Sequence, residues 1–228
     1  MSIKMNVPEA QQSVEFLAGD RKLSGILNVP HDATGIVLFA HGSGSSRFSS
    51  RNQFVASVLQ KSRVGTLLFD LLDEQEAEDR GKVFDIQLLA QRLEQAALWT
   101  QEYEHTRDLR LGYFGASTGA AAALVAAAHQ GESVRAVVSR GGRPDLAEDA
   151  LPQVQAPTLL IVGGDDQPVV ELNRRALDRL RCEKKLQIIP GATHLFPEPG
   201  ALEQVANLAS QWFQLHLAIK GAADVRGA

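Results

Sequence analysis

The sequence predicts an α/β fold: a mostly parallel sheet of about eight strands, opened by an antiparallel N-terminal hairpin and covered by helices on both faces. Three observations predict it. Short leucine-rich or β-branched runs alternate with longer segments of helical period. The first two runs are joined by "AGDRK", a stretch that turns a chain back on itself. A chain of 228 residues with 44% hydrophobic content can bury a core and fits one domain.

The hairpin strands are expected at Val14–Leu17 (VEFL) and Leu23–Val29 (LSGILNV). Ile36–Ala40 (IVLFA) is the next strand and runs into the glycine-bearing loop "HGSGSSR", after which Asn52–Lys61 reads as the first helix. Gly65–Phe69 (GTLLF) follows. The acidic stretch Asp73 to Lys82, "DEQEAEDRGK", reads as a solvated loop leading into a helix at Ile86–Glu104, with a mobile excursion folding over the site as the alternative. Arg110–Phe114 (RLGYF) is a strand that breaks at Gly115 and gives way to an alanine-rich helix, Ser117–His129. Arg135–Ser139 and Thr158–Val162 are strands, and the stretch between them, Arg140 to Ala156, leaves no room for an inserted lid. Val170–Arg181 is helical and Leu186–Ile189 is the last strand. In Leu202–Leu217, residues Leu202, Val205, Leu208, Ala209, Trp212, Phe213 and Leu215 fall near one face, so this helix should pack on the sheet. Trp99 and Trp212 read as core residues. Residues 1–228 are expected to form a single domain, with about 1–12 and 219–228 loosely ordered.

Several function classes fall away. A net charge of −4 gives no basic surface for nucleic acid. No apolar run approaches the roughly 20 residues that span a bilayer, and the N-terminus lacks the apolar core of a signal peptide, so a cytoplasmic location without membrane contact is expected. The single cysteine, Cys182, has no partner for an internal disulfide. The six histidines are scattered, with no H-x-x-x-H or paired-cysteine spacing, so no metal is expected. In "GSGSSR" Arg47 stands where a dinucleotide fingerprint requires its last glycine, and only Asp70 could serve the ribose.

The chemistry is concentrated in "LGYFGASTGAAAAL", Leu111 to Leu124. A serine held in a sharp turn between strand and helix needs very small neighbours two residues away, and Gly115 and Gly119 flank Ser117 in that way. A hydroxyl becomes nucleophilic only when a histidine removes its proton and a carboxylate supports that histidine. His194 follows a strand in the loop "GATHLF", at the carboxyl end where open α/β sheets place their sites. His31, His105, His129 and His216 lie in turns or on helices, and His41 reads as a loop-fastening residue. "PTLLIVGGDDQPV" supplies the acid: Asp166 is preferred for its G-x-x-D-x-x-V spacing, with Asp165 the alternative. Two amides are needed for the oxyanion. Those of Ser43 and Thr118 are the candidates, with Gly44 as the alternative to Ser43. Arg47, Arg140 and Arg143 follow strand ends; they either face the pocket and favour an anionic substrate or tie loops together.

Taken together, "HGSGSSR", "LLFDLL", "GYFGASTGAAAAL", "VVSRGGRPDLA", "PTLLIVGGDD" and "GATHLFPEPGALE" resemble the α/β-hydrolase superfamily, and within it the dienelactone hydrolase-like family, from Ile36 to Phe213. The resemblance implies a Ser117, Asp166, His194 triad and a fold that cleaves small esters or lactones; such a mechanism needs no cofactor, and a monomer or small homo-oligomer is expected. True dienelactone hydrolases carry cysteine at the elbow, where this chain has Ser117, so their particular substrate is not implied. "SRGGRPDLA" also resembles hydrolase domains found fused to phosphoribosyltransferases. The same triad could pass an acyl group to an alcohol, amine or peroxide, and the fold could also serve as a catalytically silent binding domain.

Overall fold

A computed structural model describes residues 11–147 and 149–218. Eight strands join in one sheet: β1 (Gln12–Ala18), β2 (Arg21–Asn28), β3 (Gly35–Ala40), β4 (Val64–Phe69), β5 (Arg110–Ala116), β6 (Val134–Arg140), β7 (Thr158–Gly163) and β8 (Lys184–Ile189). Their spatial order is β1-β2-β4-β3-β5-β6-β7-β8. β1 pairs antiparallel with β2, Ala18 opposite Arg21, and β2 pairs antiparallel with β4; the remaining pairs are parallel. Parallel neighbours require crossover helices, which cover both faces of the sheet. Strands β3 to β7 are accordingly buried at nearly every position, whereas β1, on the edge, alternates buried with exposed.

On one face α1 (Ser50–Lys61) and α7 (Ala201–Leu217) cover Val37, Phe39, Phe114 and Val138. On the other, α4 (Ile86–Glu102) and α5 (Thr118–Gln130) cover Leu38, Tyr113 and Val137, and α6 (Gln167–Arg179) joins that side through Ala176. Each large apolar side chain taken fully out of water adds roughly 1.5–3 kcal/mol, so the two layers carry most of the fold's stability.

All eight expected strands are present, and most run a residue or two further than the apolar runs. Lys184 and Lys185, for example, pair with Thr158 and Leu159 because backbone bonding does not require an apolar side chain. α1 starts earlier than expected, at Ser50, where the Ser49 hydroxyl accepts from Asn52 N. α5 starts at Thr118 because Ser117 is not helical. α6 starts at Gln167, its Pro168 seated in the first turn where no N–H is missed. Trp212 is buried in the core, with its indole donating to Pro157 O at 3.2 Å. Trp99 is only half-buried, stacked between Phe16 and Tyr103. Gln12, expected in the loose N-terminal end, begins β1, while residues 1–10 and 219–228 lie outside the described residues.

The stretch from Asp73 to Lys82 departs most from expectation. It forms two short helices, α2 (Glu74–Glu78) and α3 (Arg80–Val83). The Asp73 carboxylate accepts from Glu76 N, which holds it below the usual carboxylate range, and Arg21 lies 3.0 Å away. Glu76 itself is buried and bonded to Arg92 at 3.1 Å and Lys82 at 3.2 Å. A tertiary ion cluster thus fastens a segment whose own sequence looks fully solvated.

Between β6 and β7 the chain makes only two short 3-10 turns, Pro144–Ala147 and Leu151–Gln153, and no cap domain is inserted there among the described residues. Among the same residues no helix is long and apolar enough to cross a membrane.

Candidate active site

The carboxyl ends of β3, β5, β6 and β7 and the loop after β8 gather at one edge of the sheet, where open α/β sheets bind their ligands. Ser117 stands between β5 and α5 with φ 51° and ψ −120°, a conformation that is costly for any residue with a Cβ. Its neighbours over-determine it. Ser117 N donates to Arg140 O at 3.2 Å, and Ser117 O accepts from Ala120 N and Arg143 N, both at 3.1 Å. The flanking glycines are obligatory on steric grounds: a Cβ on Gly115 would stand 2.4 Å from Ala120 Cα, and one on Gly119 would stand 2.2 Å from Ala40 O. α5, lined by buried alanines, therefore lies close against the sheet and directs its positive N-terminal end at the serine.

His194 lies in the loop between β8 and α7, and its Nδ1 is 2.7 Å from Asp166 Oδ2. Asp166 occupies the N-cap position of α6 yet makes no capping bond, because its carboxylate is turned to the imidazole. Asp165 is exposed in the preceding turn, with its amide donating to Ala192 O. A Cβ built on Gly141 would stand 3.6 Å from His194 Cε1, which puts the imidazole over the end of β6, the strand whose Arg140 carbonyl holds Ser117 N. Of the three residues named from sequence, His194 and Asp166 are thus in direct contact, and Ser117 stands at the same end of the sheet. The His194 side chain is 38% exposed and that of Asp166 15%, so water can reach the imidazole while its partner is shielded.

The loop after β3 lies against the serine: a Cβ on Gly42 would be 3.0 Å from Ser117 Cβ. Ser43 N donates to Thr118 Oγ1 at 2.9 Å, so this amide already has an acceptor in the resting protein. Gly44 sits at φ 68° at the exposed tip. His41 fastens the loop with both ring nitrogens. Leu71 N donates to Nε2 at 3.1 Å, which leaves Nδ1 to donate to Gly42 O at 3.0 Å, and burial lowers the imidazole's pKa.

The three candidate arginines have different surroundings. The Arg47 guanidinium is bonded to Asp70, whose other oxygen accepts from Arg47 N at 2.7 Å. Arg143 makes a two-pronged bond to Asp145 at 2.9 and 2.7 Å, which raises its pKa. Both tie loops. Arg140 is buried on the α1 side of the sheet, reaching Asn52 Oδ1 at 3.5 Å. Arg51 and Asn52 were not singled out from sequence; the parity that places Ala136, Val138 and Arg140 on one face of β6 would have directed attention to α1.

A cavity of about 650 Å³ opens beside the Gly42–Ser43 loop, lined by Leu23, Leu71, Leu72 and Leu89 together with Arg47 and Asp70. Ser117 and His194 do not line it, so it adjoins the reaction centre across the loop. Among the described residues no three His, Cys, Asp or Glu side chains could jointly hold a metal ion.

Comparison with known proteins agrees with the fold. A family profile described as the dienelactone hydrolase family matches residues 54–217. The crystal structure of a dienelactone hydrolase from Anabaena variabilis is 57% identical, with a TM-score of 0.89 over 91% of this chain and 98% of that one. A Xanthomonas campestris protein described as an α/β serine hydrolase without a lid is 19% identical, with a TM-score of 0.74 over 92% and 96% of the two chains, a likeness of fold alone. A Mycobacterium tuberculosis protein of strain H37Rv, provisionally named a phosphoribosyl transferase, is 57% identical over 210 residues, covering 92% of this chain and 47% of that protein. The chain therefore spans about half the length of the curated relatives it matches.

Proposed function

The chain belongs to the dienelactone hydrolase family and has the α/β-hydrolase fold, and from that premise we propose that this hydrolase cleaves small carboxylic esters or lactones through an acyl-enzyme on Ser117. The observation that carries the reading is the strained elbow: Ser117 at φ 51°, between glycines that no larger residue can replace, at the end of the sheet where His194 is bonded to Asp166.

In this mechanism His194 Nε2 takes the hydroxyl proton as Ser117 Oγ bonds to the substrate carbonyl, while Asp166 holds Nδ1–H and supports the imidazolium. The oxyanion is met by the amides of Thr118 and Ser43, each adding a few kcal/mol of transition-state stabilisation. The Ser43 N–H must then be shared between Thr118 Oγ1 and the oxyanion. The leaving oxygen takes the proton from His194, which next draws one from water; the hydroxide opens the acyl-enzyme and frees Ser117. The cavity beside Ser43, with leucines on one part of its wall and Arg47, Asp70 and Asp73 on another, takes the part of the substrate that lies beyond the reacting carbonyl.

Water is the favoured acceptor because His194 is partly open to solvent and, among the described residues, no lid is inserted between β6 and β7. The transferase name belongs to a protein about twice as long and is not carried to this chain. Turnover of short 4-nitrophenyl esters and simple lactones tests the reading: hydrolysis by the wild type and its loss in Ser117→Ala are expected, and full turnover by Ser117→Ala would overturn it.

A further inference from the structure

Two arginines beneath the active site have no counter-charge. Arg140 is 6% exposed; its guanidinium reaches only the neutral Asn52 Oδ1, at 3.5 Å, and its Nε is buried with no partner. Arg51, half-buried beside it, also has a buried Nε without a partner. Neither meets a carboxylate among the described residues. Arg92, the other buried arginine, is by contrast neutralised by Glu76. Burial, and to a lesser degree the charge of Arg51, pushes the Arg140 guanidinium down to about 10.

Their location adds to the imbalance. Asn52 and Arg51 belong to the first turn of α1, a 12-residue helix with no acid in that turn. A helix N-terminus carries about half a positive charge and disfavours a cation, so Arg51 stands where a carboxylate would ordinarily be stabilising. The Arg140 guanidinium thus reaches the first turn of α1, next to Arg51 in the chain, and among the described residues no carboxylate is paired with either arginine. Their summed charge exceeds that of one monoanion, and the planar guanidinium fork suits phosphate oxygens.

We propose that Arg140, Arg51 and the first turn of α1 bind a phosphate-type dianion, at a site separate from the Ser117 and His194 side chains. The site would be coupled to catalysis through the chain. α1 continues directly from the loop that carries Ser43, and the Arg140 carbonyl holds Ser117 N. An anion at this point would clamp the base of that loop to the end of β6.

The test is calorimetric titration of the full chain with inorganic phosphate at constant ionic strength, at a pH of about 8 where phosphate is a dianion. The wild type is expected to take up one phosphate per chain, with acetate binding more weakly. Arg140→Met should abolish uptake. Arg51→Gln, a change at a half-buried position that folding tolerates more readily, should weaken it by about tenfold or more. No saturable uptake by the wild type, or equal uptake by Arg51→Gln, overturns the proposal. Its source is read from two esters: phosphate that slows hydrolysis of a phosphate-bearing ester but not of a neutral one marks the substrate's own phosphate, phosphate that changes turnover of both alike marks a site for the free ion, and phosphate that binds and changes neither overturns the coupling to catalysis. Binding is measured without turnover, so failure of the hydrolase reading and failure of this one are distinct results.

Discussion

His194 Nδ1 is bonded to Asp166 at 2.7 Å, while Asp165, one residue earlier, lies exposed and points no bond at the imidazole. Two adjacent aspartates therefore have unequal consequences. Asp166→Asn should lower kcat by roughly 10³–10⁴-fold with little change in KM, since the wrong tautomer of His194 would then be favoured. Asp165→Asn should stay within about twofold of the wild type, because its side chain supports neither the ring nor the turn. Steady-state ester kinetics on the two variants distinguish them.

Gly119→Ala should prevent correct assembly of the elbow. The new Cβ would lie 2.2 Å from Ala40 O and 2.4 Å from His41 O, backbone atoms that cannot swing aside as a side chain can. Gly44→Ala provides the comparison: the position has φ 68° but nothing within 4 Å of the added carbon, so the cost is limited to conformational strain of about 1 kcal/mol. Thermal unfolding should show a large loss for the first and a small one for the second.

The bond from Ser43 N to Thr118 Oγ1 predicts a hydroxyl-dependent loop. Thr118→Val keeps the shape of the side chain and removes the acceptor, which should cost about 1 kcal/mol of stability and lower kcat by about tenfold through a less fixed Ser43 amide. Thr118→Ser should restore most of both. Equal kcat in the valine and serine variants would show that the hydroxyl does not hold the amide for catalysis.

His41 should make the fold acid-sensitive. Its Nε2 accepts from Leu71 N, so protonation would set two donors against each other, and burial lowers its folded pKa below the ordinary 6.5. The stability it contributes is complete above the unfolded pKa and is lost as pH falls below 6.5 toward the depressed folded value. Between pH about 7.5 and 5.5 the wild type should lose up to about 1 kcal/mol more than His41→Gln, whose side chain does not titrate. Urea unfolding at the two pH values gives the difference directly.

The sheet and its order of elements were legible because β3, β4, β5 and β7 are continuous apolar runs, buried on both faces, separated by segments of clear helical period. The elbow was legible for a local reason: Gly115 and Gly119 are fixed by contacts within a few residues of Ser117 and by one neighbouring strand. The fastened α2–α3 segment was not. Glu76 is buried only because Arg92, sixteen residues away, supplies a partner, and charge composition alone makes that stretch look solvated. The arginines divide for a similar reason. Arg143 has its acid two residues on, whereas the pairing of Arg47 with Asp70 and the approach of Arg140 to Asn52 depend on how loops and helices meet.

The central claim, that Ser117 is an activated nucleophile served by His194, is tested most directly by intact-protein mass spectrometry after treatment with a fluorophosphonate. The account predicts one adduct on the wild type, none on Ser117→Ala, and labelling slowed by orders of magnitude on His194→Ala. A folded wild type that stays unlabelled, or an adduct that persists in Ser117→Ala, would contradict it.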